Sequence, residues 1–391
     1  MKMSRRGLFE RTKFIMMLAG IWKLEGTNLS TFAIKLYEIY SIGIQARYII
    51  TPFLLIINVP TLIRKDLNAA MDTISKIIFS SIVAIKARIC QEKKIVNLIS
   101  EALKEDECIC VYKKSVRLKI YEQHMSLCSK LTLFLMVSVS TAGGYLLISG
   151  YVAIFDFYYS PNHLNSTMER PVMLHFWYPF DINHHCLWTI ADETMAILYT
   201  VICSSAVNTF INSTMIFLRA QLIMLQNNFR NFDDLSQGNS PGSNLRRLCR
   251  RHQNIIQYVD SFNESLRFVM LLEFSVASVM LAASLFQIFA GKDVVFSCIY
   301  VLMCSGQIIV LAWSSDEILT QSLELGTALY ESKWFDQTKR VIAVIQIMLL
   351  RCQKPLTLSV GPFGPLTVDV AASRFKLAYT YTTVMTGTLS E

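Results

Sequence analysis

Seven stretches of this sequence are long and apolar enough to cross a lipid bilayer, and that constrains the fold more than any other feature. They run Ile39–Ile63, Ala69–Ala87, Leu131–Phe157, Leu187–Ile211, Phe268–Ala290, Val294–Trp313 and Leu366–Thr388. An α-helix crosses the ~30 Å hydrocarbon core in ~20 residues. In lipid every backbone N–H and C=O must be bonded within the protein, so spans of this length read as helices. Composition agrees: charged residues make up 17% of the chain and mean hydropathy is +0.39, where soluble domains carry about 25% charge. Two spans are irregular. Lys76 interrupts the second, and the first contains Arg47 and Pro52, which need neighbours to satisfy the groups they free.

The basic residues fix an orientation. The amino-terminal arm carries Lys2, Arg5, Arg6, Arg11, Lys13, Lys23 and Lys35, and the second-to-third connection carries Arg88, Lys93, Lys94, Lys104, Lys113, Lys114, Arg117, Lys119 and Lys130. The fourth-to-fifth connection holds Arg219, Arg230, Arg246, Arg247, Arg250 and Arg251, and the sixth-to-seventh Lys333, Lys339, Arg340, Arg351 and Lys354. The alternate connections hold only Arg64 and Lys65, then Arg170, then Lys292. Because cytoplasmic loops retain positive charge, the amino terminus is expected in the cytoplasm and the carboxyl terminus outside. That is opposite to a G-protein-coupled receptor. The sequon Asn165-Ser166-Thr167 falls in an outside loop, where glycosylation can occur.

The sequence therefore reads as an all-α membrane protein in a single seven-helix domain, residues 1–391. A cytoplasmic arm (1–37) includes a short interfacial helix around Phe14–Trp22, with Trp22 as aromatic anchor. Spans one to six occupy 38–313, a cytoplasmic connection with a short helix 314–365, and the last span with an outside tail 366–391. In the cytoplasmic stretches apolar residues recur at helical steps, as at Leu248, Ile255, Val259, Phe262 and Leu266. The spans are thus expected to run on beyond the bilayer into an intracellular bundle. The basic loops have no aromatic interleaving, which argues against nucleic acid. The ten cysteines show no paired spacing, so no disulfide framework is implied. His163, His175, His184 and His185 lack fixed ligand spacing, and no catalytic motif is present. The reading is not an enzyme, with no metal and no cofactor.

The last span is unlike the others. Asp369, Ser373, Lys376, Thr380, Thr383 and Gly387 recur at steps of four and three, one polar or small stripe along a helix, with Val368, Ala371, Phe375, Ala378 and Met385 opposite. Such a stripe must face other helices or water. Burial in its own bundle and a shared pore wall both satisfy that. Before it, Val341–Leu350 is too short to cross, and Gly361-Pro362-Phe363-Gly364-Pro365 forces a break.

The carboxyl third resembles insect odorant receptors of the tuning, odour-specific class. The resemblance rests on Ala328-Leu329-Tyr330-Glu331-Ser332-Lys333-Trp334, then Gln353-Lys354-Pro355-Leu356, Gly361 and Phe363, then Phe375 and Ala378-Tyr379-Thr380-Tyr381. Gly20-Ile21-Trp22 is similar to the family's start, with Lys23 in place of its usual proline. The resemblance implies a ligand-gated non-selective cation channel, a heterotetramer with the odorant receptor co-receptor, in the plasma membrane of an olfactory neuron dendrite. It implies membrane lipid and a small volatile odorant as the other partners, and a pore lined by the last helix, with the short helix before it in an intracellular anchor domain. Val384 aligns with the hydrophobic gate and Gly387 with the filter position, which is glutamine in the co-receptor. Thr380 and Thr383 share that face. A gustatory-type receptor channel and a metabotropic seven-span receptor are the alternatives. Thr380-Tyr381 fits the gustatory pattern and Gly387 departs from it.

The family's ligands sit in the outer half of the membrane among spans two to six. The outward-half candidates here are Phe79 and Val83, then Gly144, Ile148 and Tyr151, then Met195, Leu198 and Tyr199, and finally Phe286, Phe289 and Tyr300. Such a pocket is expected to be apolar with a few polar groups.

Overall fold

The structure is a computed structural model that describes residues 7–22, 30–65, 67–92, 95–96, 98, 100–104, 116–159, 170–182, 184–232, 241–289, 291 and 294–387. Asn165 and the end of the last predicted span lie outside these. The helices are α1 (Glu10–Leu18), α2 (Thr31–Lys65), α3 (Leu67–Cys90), α4 (Val116–Tyr159), α5 (Cys186–Arg230), α6 (Pro241–Phe289), α7 (Val294–Tyr330), α8 (Lys339–Cys352) and α9 (Val368–Gly387). Five predicted spans fall inside one helix each, α2 to α5 and α7; Phe268–Ala290 runs one residue past the end of α6, and Leu366–Thr388 covers α9 but begins two residues before it, in the preceding loop. Five of these seven helices, α2 and α4 to α7, pass a test of length and hydropathy for membrane crossing. The other two, α3 and α9, have 24 and 20 residues, about 36 and 30 Å at 1.5 Å per residue, with charges at Asp72, Lys76 and Lys86 in one and Asp369, Arg374 and Lys376 in the other.

The central element is α5, packed by α4, α7, α1, α6, α3 and α2. With 45 residues it is about 68 Å long, and the 49 residues of α6 reach about 74 Å. Both are more than twice the hydrocarbon thickness. The surplus lies at the ends rich in arginine. There the stripe Leu248, Ile255, Val259, Phe262 and Leu266 is buried, in one cluster with Phe229, Phe232, Leu325, Leu329, Ile345 and Met348. The helical step of apolar residues is what allows α6 to continue past the bilayer: outside lipid, only a one-sided stripe has something to pack against.

The amino-terminal helix begins earlier than expected and packs by one face. Leu8, Phe9, Thr12, Ile15 and Met16 are buried against α5, where Thr12 Oγ1 and Ser213 Oγ lie 2.7 Å apart and the Phe9 and Phe217 rings 5.5 Å apart. Phe14 and Leu18 remain exposed on the other side. Lys13 sits 5.6 Å over the Trp22 ring. The chain then turns at Gly20, whose φ of +67° suits glycine, and its carbonyl accepts a bond from Ser41 Oγ.

The connection from α8 to α9 is a tight loop. Ser359 and Pro365 form an antiparallel bridge, Leu366 N–H donates to Leu358 O at 2.7 Å, and Gly361 N–H donates to Arg267 O of α6 at 3.1 Å. Gly361 and Gly364 both have positive φ, +54° and +100°. Leu356, Leu358, Val360 and Leu366 are buried, so this loop clamps the start of α9 onto α6.

Candidate functional site

The sequence places charged groups inside the spans, and the fold pairs several of those in α2, α3, α5 and α6. Arg47 of α2 meets Asp192 of α5 at 2.7 Å and lies 5.4 Å over the Phe176 ring. Lys76 meets Asp72 one turn away at 2.6 Å and donates to Met173 O at 3.3 Å. Lys86 of α3 pairs with Glu273 of α6. Residues 170–182 are strapped down on the outer ends of the helices. Met173 N–H donates to Glu193 Oε2, Trp177 N–H to Leu54 O, and Asn58 Nδ2 to His175 O.

Beneath that strap, in the outer half of the bundle as the charge pattern orients it, is a cavity of about 150 Å³. That is the size of an engineered apolar cavity that holds benzene. Its wall comes from α2 (Thr51, Leu55), α3 (Asp72, Lys76, Phe79, Ser80), α4 (Val139, Ala142, Gly143, Leu146), α5 (Ala196, Ile197, Thr200, Val201), α6 (Met280, Ala283, Ser284, Gln287) and α7 (Phe296, Tyr300, Met303). Most of this wall is carbon. The polar minority comprises the hydroxyl residues Thr51, Ser75, Ser80, Thr200, Ser284 and Tyr300, the Asp72–Lys76 pair, and Gln287, whose Oε1 accepts from Ser297 Oγ at 2.9 Å.

Of the residues expected to contact ligand, Phe79 and Tyr300 line this cavity. Val83 lies about one turn further in, on a smaller void that shares Phe79 and Tyr300. Gly144, Ile148, Tyr151, Met195, Leu198, Tyr199, Phe286 and Phe289 are not on the wall. Ile148, Tyr151, Met195, Leu198 and Phe289 face outward from the bundle. The Tyr199 carbonyl accepts a bond from the Tyr48 hydroxyl at 3.2 Å. The reason is rotational. On α4 the wall is Val139, Ala142, Gly143 and Leu146, and one residue of shift turns a helix side chain by about 100°. The overlooked cue is residue size: Ala142, Ala196, Ala283 and Ser284 are small positions on this wall within apolar spans, and Gly143 lets α4 approach α5 closely, a Cβ there falling 2.3 Å from Val201 Cγ2.

The last helix packs by the face opposite its polar stripe. Ala371, Ala378 and Thr382 are buried and Phe375 half-buried, with Leu281 and Ala282 of α6 as the partner surface. Thr382 Oγ1 bonds Ala378 O at 2.9 Å and approaches Ala282 O at 3.4 Å. Asp369, Ser373, Lys376, Thr380 and Thr383 are exposed, and so is Val384, at 59%. The hydroxyls of Ser373, Thr380 and Thr383 donate to carbonyls of their own helix. Burial within the protomer, one of the two readings of the stripe, is thus not what this fold does. Gly387 ends the helix.

This arrangement of helices is that of an insect olfactory receptor. The olfactory receptor OR5 of Machilis hrabei superposes with a TM-score of 0.77 over 96% of this chain and 97% of that one, at 16% identity. The same receptor in complex with eugenol gives 0.73 at 18% identity over 97% of both. In sequence, Odorant receptor 10 of Aedes albopictus is 26% identical over 183 residues, 45% of this chain and 49% of that receptor. Odorant receptor Or2 of Anopheles gambiae is 29% identical over 156 residues, 38% and 41% of the two chains. The odorant receptor coreceptor of Ooceraea biroi is 22% identical over 151 residues, 37% of this chain and 31% of that one. The matched stretches thus span about half or less of these relatives. The 7tm Odorant receptor family profile matches residues 66–379. The chain belongs to that family, whose members are receptors rather than enzymes.

Proposed function

We propose that this protein is an odour-specific subunit of a ligand-gated, non-selective cation channel in the plasma membrane, assembled with the odorant receptor co-receptor. The observation that carries the reading is the last helix. Ala371, Phe375, Ala378 and Thr382 pack it onto α6 and α7, while Asp369, Ser373, Lys376, Thr380 and Thr383 are left bare by their own chain. A charged or polar stripe at membrane depth is costly against lipid, so it calls for other subunits or a water-filled path. Several copies of such a helix around one axis supply both. Val384, beside Thr380 and Thr383, then contributes an apolar ring that closes a narrow pore by dewetting, and Gly387 stands at the filter level. The ligand is a small volatile compound held in the outer cavity, chiefly by burial of carbon, with Lys76, Gln287 and Tyr300 offering hydrogen bonds. Expected residence is a sensory dendrite.

The test is co-expression with the co-receptor and recording of membrane current during a panel of single volatile compounds. Evoked cation current that survives blockade of G-protein signalling is the expected result. Current that depends on G proteins, or none with both subunits at the surface, would contradict it.

A further inference from the structure

Directly below the outer cavity, Glu273 of α6 stands between two small voids with different chemistry. The first, about 40 Å³, contains Lys86 of α3 and shares Phe79, Met280, Tyr300 and Met303 with the cavity above. There Glu273 forms its ion pair with Lys86, whose exposure is only 4%. The second void, about 20 Å³, is lined by Glu273 together with Gln307, Asn208 and Asn212, Gln307 bordering the first void as well. The amide nitrogens of those three side chains are buried and donate to nothing among the described residues.

A buried carboxylate needs hydrogen-bond donors, and a buried amide N–H needs an acceptor. Glu273 therefore borders two sets of groups that could meet its needs: the Lys86 ammonium on one side and the amide cluster lining the second void on the other. A buried ion pair is weak evidence for stability, because apolar packing of the same volume does as well. Where such pairs are understood best they fix register or act as switches.

The location connects the two functional regions. One turn of α6 presents Met280 and Ser284 to the cavity and Leu281 and Ala282 to the last helix. A body filling the cavity presses on Met280, Tyr300 and Met303, which also roof the Lys86 void. We propose that Glu273 is a two-position switch, held by Lys86 in one state and by Gln307, Asn208 and Asn212 in the other, that relays occupancy of the cavity through α6 to the last helix. This rests on the channel reading above.

The two sides of the switch predict opposite effects, which a merely structural role does not. Subunits are co-expressed with the co-receptor, surface protein is counted, and current is recorded with the most effective compound of a panel of single-ring volatiles. Lys86→Met is expected to raise unliganded current per surface receptor several-fold. Gln307→Leu is expected to lower the maximal evoked current at least tenfold, and Lys86→Arg to behave as wild type. Should Lys86→Met not reach the surface, the Gln307→Leu result decides alone. Lys86→Met and Gln307→Leu moving current in the same direction, or Gln307→Leu matching wild type, would overturn the switch. A wild-type subunit that gives no evoked current would instead sink the channel reading, and the switch with it.

Discussion

Replacing Gly361 with alanine tests whether the loop before α9 holds that helix in place. Gly361 has a φ of +54°, and a Cβ built there would lie 2.9 Å from Leu271 Cδ2 and 3.1 Å from Leu271 Cβ. The left-handed backbone costs a non-glycine residue roughly 1–2 kcal/mol. Overpacking against a neighbour that cannot retreat adds roughly 1–3 kcal/mol. Leu271 Cδ2 can swing away, but its Cβ is fixed to α6, so the second contribution sits near the lower end and the total is about 2–4 kcal/mol. At 1.4 kcal/mol per factor of ten, that weakens docking of the loop on α6 roughly thirty-fold to several hundred-fold. The assays are thermal unfolding of the purified subunit in detergent and evoked current per surface receptor; both are expected to fall. Gly242→Ala is the control, because its Cβ would meet Val341 Cγ2 at an ordinary 3.7 Å. Sitting in the first turn of α6, it is expected to be neutral or stabilising by up to ~1 kcal/mol. Equal melting temperatures and currents for Gly361→Ala and wild type would refute the reasoning, as would equal damage from Gly242→Ala.

Three further outcomes follow from the same geometry. Ala142→Phe puts a ring into the outer cavity of about 150 Å³ and is expected to abolish responses to single-ring compounds while surface protein is retained; unchanged responses would place the ligand elsewhere. Val384→Asn is expected to raise unliganded current, and unchanged basal and evoked currents would argue against Val384 as a gate. In the cytoplasmic bundle His252 is 6% exposed; burial, with the nearby Arg351 charge second, pushes its pKa down to about 4. The unfolded chain, titrating near 6.5, binds the extra proton first as pH falls. Stability from this group is therefore complete above pH ~6.5 and declines from there to pH ~4, by at most about 3 kcal/mol. Unfolding of the wild type and His252→Leu across that range checks it, with a shallower acid limb expected for the variant.

How much of this was legible in the sequence depended on whether a residue's neighbours differ from lipid. A helix stands behind each of the seven predicted spans, but length and hydropathy decide only five of them, in α2 and α4 to α7; the charges in α3 and α9 set those two apart. The rotation of α6 in the cytoplasm was legible: Leu248, Ile255, Val259, Phe262 and Leu266 repeat against a polar background, and all are buried. The stripe of α9 was readable for the same reason, since Asp369, Lys376 and Thr380 contrast with Ala371 and Ala378. Within the apolar spans that contrast vanishes. Leu146 on the cavity wall and Ile148 facing outward are equally hydrophobic, because lipid and protein interior reward the same atoms. The cavity-lining face of α4 was therefore invisible to pattern, and only small residues such as Ala142 and Gly143 marked it. Lys76 looked like a flaw in its span. Its partners, Asp72 one turn before and the Met173 carbonyl on the outer strap, supply the bonds that keep it there, and the second of them is distant in sequence.

The most direct test of the central claim is cysteine scanning along α9 in the assembled receptor, reading block of current by a charged, membrane-impermeant thiol reagent while odour is present. The account predicts reaction at Ser373, Lys376, Thr380 and Thr383, in steps of three and four, and protection at Ala371, Ala378 and Thr382. Protection of the whole polar stripe, with reaction confined to the face packed on α6 or absent altogether, would contradict it.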